Sequence, residues 1–107
     1  MQAETAQALK NISEIVKVPG IDAIFIGPYD LSASLGKIGE LGDPEVKQAI
    51  QTIADACKKA GVRLGIFGAT AEAVEPYIQQ DFTLLAIGTD GLLMAQNARE
   101  ILKTLKQ

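Results

Sequence analysis

Two acids in this chain stand where chemistry is done. Glu4 closes a short N-terminal stretch, MQAE, and Asp30 follows the apolar run AIFI across Gly27-Pro28-Tyr29. If both runs are strands of a parallel sheet, both carboxylates sit at or just beyond a C-terminal strand end, the face where parallel α/β architectures bind ligands. Neighbouring parallel strands lie about 4.8 Å apart, so carboxylates at their ends can meet at one hard divalent cation. An ion held by only two protein oxygens keeps positions for substrate and can polarise a carbonyl and stabilise an enolate. Plainer uses are open to both residues. Glu4 would also suit the first turn of a following helix, and Asp30 would suit the N-cap of a helical turn over 31–35.

Other residues qualify this picture. Gln2 lies two positions before Glu4, so on a strand both side chains point the same way, and an amide beside an acid suits hydrogen bonding to a substrate oxygen. The run Gly88-Thr89-Asp90-Gly91 offers backbone amides for an anion, or simply an Asp90 cap on the last helix. Gly65 and Gly68 flank Ile66-Phe67 and allow close backbone packing. Cys57, the single cysteine, leaves no intrachain disulfide and excludes zinc sites built on paired cysteines. It falls among alanines in a helical pattern, the setting of a buried, inert thiol.

An absence limits the chemistry further. The chain has no histidine, so no mechanism that needs an imidazole base runs on it alone.

The elements that must position these residues follow from pattern. Thr5 caps a helix over 6–17 whose apolar face carries Ala8, Leu9, Ile12, Ile15 and Val16. Residues 21–26 form a near-continuous apolar strand of the doubly buried, parallel type. A glycine-rich connection over 27–42 contains one helical turn at 30–35. Asp43 and Pro44 open a helix as N-cap and first residue, and Gly61 stops it. Strands follow over 62–67 and 82–87, with a Thr70-capped helix over 71–80 between them that Pro76 kinks or divides. A last helix spans 91–105.

With a strand stub at 1–4 this is four βα units in one domain, 1–107, and an α/β class. Four units build either half of an eight-stranded barrel or a compact open sheet with helices on both faces. The 107 residues are 48% hydrophobic and 21% charged, an ordinary globular composition. A net charge of −3 with no basic block argues against nucleic acid or an anionic membrane as partner. No apolar run reaches the roughly 20 residues of a membrane span and no signal peptide is evident, which makes the cytoplasm the expected location.

The stretch GIDAIFIGPYDLSASLG strongly resembles the signature of the HpcH/HpaI aldolase/citrate lyase family, specifically its metal-dependent class II pyruvate aldolases. MQAETAQALKNI resembles the family segment in which Q-x-E-T ends a barrel strand. DPEVKQAIQTIADACKKAG and LLAIGTDGLLMAQNA resemble the later units, in family order. The resemblance implies units five to eight of a TIM barrel whose parent activity cleaves 2-keto-4-hydroxy acids to pyruvate and an aldehyde. It assigns Glu4 and Asp30 as ligands of magnesium, manganese or cobalt, and Gln2, Tyr29 and Asp30 as contacts of pyruvate or another 2-oxo acid. Tyr29 would act through its backbone amide, and it stands where many relatives carry alanine.

The family's histidine base, its supporting acid and its transition-state arginine belong to the first half of the barrel. Arg63 and Arg99 match none of them, so the resemblance implies no catalytic residue here. The partners it implies are a second copy of the chain or a complementary N-terminal half-barrel.

Overall fold

A computed structural model describes residues 1–106. Its elements are β1 (Gln2–Ala3), α1 (Ala6–Ile15), β2 (Ala23–Ile26), α2 (Pro28–Ser34), α3 (Pro44–Ala60), β3 (Arg63–Gly68), α4 (Ala71–Ile78), β4 (Phe82–Ile87) and α5 (Asp90–Leu105). All three strand pairings are parallel and the sheet order is β1-β2-β3-β4. A doubly wound sheet needs a reversal of strand order, and this sheet has none. Sequential parallel strands are the arrangement of a half-barrel, so the compact open alternative is not adopted.

The helix ends obey local chemistry. Thr5 Oγ1 accepts the N–H of Ala8 at 3.0 Å, and Asp43 Oδ1 accepts that of Glu45 at 2.8 Å with Pro44 in the first turn. Gly61 ends α3 at φ 71°, a left-handed conformation that costs glycine little. Pro76 lies within α4 without dividing it, two residues before the helix ends. One cap is corrected. Thr89, not Asp90, caps α5, its Oγ1 accepting the N–H of Leu92. Asp90 is the first helical residue and its Oδ1 takes only the N–H of Gly91 at 2.7 Å.

Alternation along the strands divides the sheet into two faces. Ile24 and Ile26 of β2, Leu64 and Ile66 of β3 and Phe82 of β4 are buried on the helix side. There they join Ile12, Val46, Ile50, Ile53, Cys57 and Val74 in one core. Phe25, Gly65 and Phe67 alternate with these residues and face the other way, toward what would be the barrel interior. Gly65 is required at this point. A Cβ there would stand 2.7 Å from the ring of Phe25 and 2.9 Å from the carbonyl oxygen of Leu84.

The last helix departs from this layer. α5 buries none of its residues, and Leu93, Met94, Ile101, Leu102 and Leu105 are all more than half exposed. The molecule is accordingly elongated, 55 × 28 × 22 Å.

Candidate metal and substrate site

The two acids singled out by position do meet. β1 pairs with β2 in the register Gln2 to Phe25 and Ala3 to Ile26, which brings the ends of the two strands side by side. The short β1 is pinned by the N–H of Phe25, which donates to the carbonyl of Met1 at 2.7 Å. Glu4 leaves β1 just as Gly27 leaves β2. A point 1 Cβ bond off Gly27 lies 2.9 Å from Glu4 Oε2 and 4.0 Å from Asp30 Oδ2. The two carboxylate oxygens are therefore no farther apart than those distances laid end to end.

Gln2, Glu4, Phe25, Gly27, Tyr29, Asp30 and Phe67 line a single open cleft of about 330 Å³. Every residue assigned to metal or substrate at the sequence level is among them. Asp30 sits in the first turn of α2, whose N-cap is Gly27, so Asp30 is not the cap of this helix. Its side chain is left for other work. Neither carboxylate takes part in a hydrogen bond or ion pair with the described residues.

That donor set fits a hard divalent ion. Two unshared carboxylates on one cleft supply oxygen ligands and leave further positions open to water and substrate. No third metal-binding side chain joins them, for no group of three or more His, Cys, Asp or Glu residues is gathered among the described residues.

Two serines hold the loop that carries Asp30, and position alone did not show their roles. Ser32 is fully buried. Its hydroxyl donates to the Tyr29 carbonyl at 2.6 Å and accepts the N–H of Gly39 at 3.0 Å, tying α2 to the connection that follows. Ser34 Oγ accepts the N–H of Ala6 at 2.8 Å and so joins α2 to the start of α1, two residues after Glu4. The signal was present in the sequence as hydroxyls at an i, i+2 spacing after the acid, but their partners are seven and 28 residues away.

Beyond Ser32, Lys37 donates to Asp43 Oδ2 at 2.8 Å and lies 3.3 Å from Glu45 Oε2. This closes the 36–42 segment onto the N-terminus of α3. The Lys37 hydrogen bond holds the Asp43 carboxyl below its ordinary value, and the same bond raises the Lys37 ammonium.

The remaining candidates fall away from the site. Arg63 opens β3 at the opposite end of the sheet and Arg99 lies on the projecting α5. Cys57 is buried in the core, and burial pushes its thiol up to about 11, away from the thiolate that reactivity needs.

Comparison with known proteins decides the lineage. Residues 1–97 match the family model described as HpcH/HpaI aldolase/citrate lyase. The chain belongs to that family. It is 42% identical, over 99% of its length, to 2-dehydro-3,6-dideoxy-6-sulfogluconate aldolase of Pseudomonas putida, covering 42% of that protein. It is 38% identical over 94% of its length to 4-hydroxy-2-oxo-heptane-1,7-dioate aldolase of Klebsiella pneumoniae, covering 38% of that protein.

The crystal structure of an HpcH/HpaI aldolase/citrate lyase family protein from Burkholderia cenocepacia superposes with a TM-score of 0.95 at 32% identity. The match takes in 99% of this chain and 41% of that one. The HpcH/HpaI chain thus spans about two fifths of the length of the relatives it matches. Because the superposition includes nearly every residue, the half-barrel sheet and the outward course of α5 are shared with that relative.

Proposed function

We propose that this chain is the metal-ion and 2-oxo-acid binding half of a class II aldolase, corresponding to units five to eight of the barrel. The parent reaction is the reversible cleavage of a 2-keto-4-hydroxy acid to pyruvate and an aldehyde. The observation that carries this reading is the approach of Glu4 and Asp30 over Gly27, in one cleft with Gln2 and Tyr29.

Glu4 and Asp30 would hold magnesium, manganese or cobalt. When bound, such an ion supplies positive charge at the pyruvyl oxygens, where the electron pair of the breaking carbon–carbon bond is drawn. The Gln2 amide would donate to a substrate oxygen in the same cleft. The N–H of Tyr29 lies in the first turn of α2, where backbone donors have no intrahelical acceptor, and is available to the substrate carboxylate.

The chain does not complete the reaction. Removing the proton of the C4 hydroxyl needs a base near its operating pH, and the chain has no histidine to serve. The base and the arginine would come from a complementary half-barrel. In the purified chain with manganese and a 4-hydroxy-2-oxo acid, a coupled pyruvate assay should read no turnover. Joined to a half-barrel carrying the base, the chain should release pyruvate, and Glu4→Gln or Asp30→Ala should abolish that release. Release unaffected by both substitutions would refute the assignment.

A second reading has its own support. The sheet presents an uncovered face bearing Phe25 and Phe67, and two outer strand edges, β1 and β4, without a paired strand among the described residues. Leu93, Met94, Ile101, Leu102 and Leu105 of α5 are exposed as well. Such surfaces favour burial against a second copy, giving a non-catalytic half-barrel module that self-assembles. Sedimentation decides this reading: a strict monomer at micromolar concentration would exclude it. Among the described residues no helix is long and apolar enough to cross a membrane.

A further inference from the structure

The segments that carry the two acids are tied together beyond their strands. The β1–β2 pairing ends at Ala3 and Ile26, and Glu4 and Asp30 both lie past it. The Ala6 N–H donates to Ser34 Oγ at 2.8 Å, a link that spans 28 residues of sequence. Among the described residues no other side-chain hydrogen bond or ion pair joins residues 4–9 to residues 27–36. Ser34 follows Asp30 by four residues and so shares its face of α2, one turn on. Ala6 follows Glu4 by two and is the first residue of α1. Its N–H has no acceptor within the helix, so the Ser34 hydroxyl serves it from outside while Thr5 serves Ala8.

We propose that Ser34 is a positioning residue for the acid pair. By holding the start of α1 against α2, its hydroxyl keeps Glu4 beside Asp30 and sets the preference of the pair for a small divalent ion. The inference rests on Glu4 and Asp30 being metal ligands. Ser34 is not among the residues lining the acid cleft, so it acts through the two acids and not on the ion. Carboxylates on separate segments bind an ion only once they are brought to one spacing. A tie made beforehand removes that cost, and the gain cannot exceed what the tie itself is worth. Ions respond unequally to such a tie. Magnesium demands near-ideal octahedral geometry at short distances, whereas calcium accepts longer bonds and irregular ligand sets.

Amide-shift NMR titrations of the purified chain with magnesium and with calcium test this. Ser34→Ala should weaken magnesium about fivefold, the worth of one hydrogen bond, and calcium by less than about twofold. Ser34→Thr keeps the hydroxyl and should restore the parent's magnesium affinity. Ala6→Pro removes the donor instead. Proline is accepted at the first helical position, and Thr5 already has the extended backbone, φ −130° and ψ 154°, that a following proline requires. Ala6→Pro should reproduce the loss seen in Ser34→Ala, and the double variant should lose no more than either alone.

A metal-free readout accompanies the titrations. Glu4 Cβ lies 3.4 Å from the point a Cβ on Gly27 would occupy, so an NOE should join the Glu4 β-protons to the Gly27 α-protons. It should fade in Ser34→Ala and Ala6→Pro and persist in Ser34→Thr. Unchanged magnesium affinity in Ser34→Ala, or magnesium and calcium weakened by one common factor, would overturn the proposal. So would losses that add in the double variant, or an NOE unchanged in both single variants. A parent chain that binds neither ion strikes the metal assignment, and the NOE comparison then still decides whether Ser34 holds Glu4 in place.

Discussion

Glu4 leans over Gly27 so closely that a methyl group on the glycine would stand 2.9 Å from Glu4 Oε2 and 3.4 Å from its Cβ. The β1–β2 register brings the strand ends together, and the bare Gly27 leaves room there for the Glu4 carboxylate to lie toward Asp30. Gly27→Ala should therefore act on the site more than on the fold. The nearer contact is the far end of a flexible side chain, so the carboxylate can swing aside at little cost, but only by leaving its place beside Asp30. We expect a stability change below about 1 kcal/mol by urea unfolding. Manganese affinity in the same variant should drop about tenfold, the loss of one well-placed charged ligand contact.

Ser32 is the second test of how the site is held. Its buried hydroxyl serves both the Tyr29 carbonyl and the Gly39 N–H. Ser32→Ala removes one donor to the Tyr29 carbonyl and the acceptor of the Gly39 N–H, which costs about 1 kcal/mol. A fall in the thermal midpoint should appear with faster amide exchange at Gly39. An unchanged midpoint would mean that the loop is held by something other than this hydroxyl.

The Lys37–Asp43 pair makes a prediction in pH. The carboxyl of Asp43 is held below its ordinary value of 3.8 by the Lys37 hydrogen bond first, so its contribution is present above that value. It is lost as pH falls through the lower folded-state value. Lys37 is raised above 10.5, so its contribution is full below that value and is lost only as pH rises through the higher folded-state value. Asp43→Asn retains a side-chain oxygen to cap α3 and removes the pair. Its stability deficit against the parent chain should be seen at pH 7 and vanish near pH 2. A deficit independent of pH would assign the effect to the cap alone.

Much of this structure could be read from residue order because the signals were local. Thr5, Asp43, Pro44 and Gly61 mark their helix ends within one turn, and the apolar runs about Ile24 and Ile66 have the composition of doubly buried strands. The sequential sheet follows from repeated strand–helix alternation. Partnership at a distance was less legible. A hydroxyl such as Ser32 or Ser34 declares that it can bond, but not to which backbone group.

α5 illustrates the same limit. Its spacing announces an amphipathic helix, yet nothing in a periodic apolar stripe says that the stripe will stand clear of its own sheet. Sequence pointed to Asp90 as the cap of this helix. The three-residue reach from Thr89 Oγ1 to the N–H of Leu92 puts the cap one residue earlier.

The central claim is that Glu4 and Asp30 together hold a divalent ion. Calorimetric titration of the purified chain with manganese tests it most directly. We predict a single site in the parent chain, lost in both Glu4→Gln and Asp30→Asn with the fold retained by circular dichroism. Manganese binding of equal affinity in the parent and in both variants would contradict it.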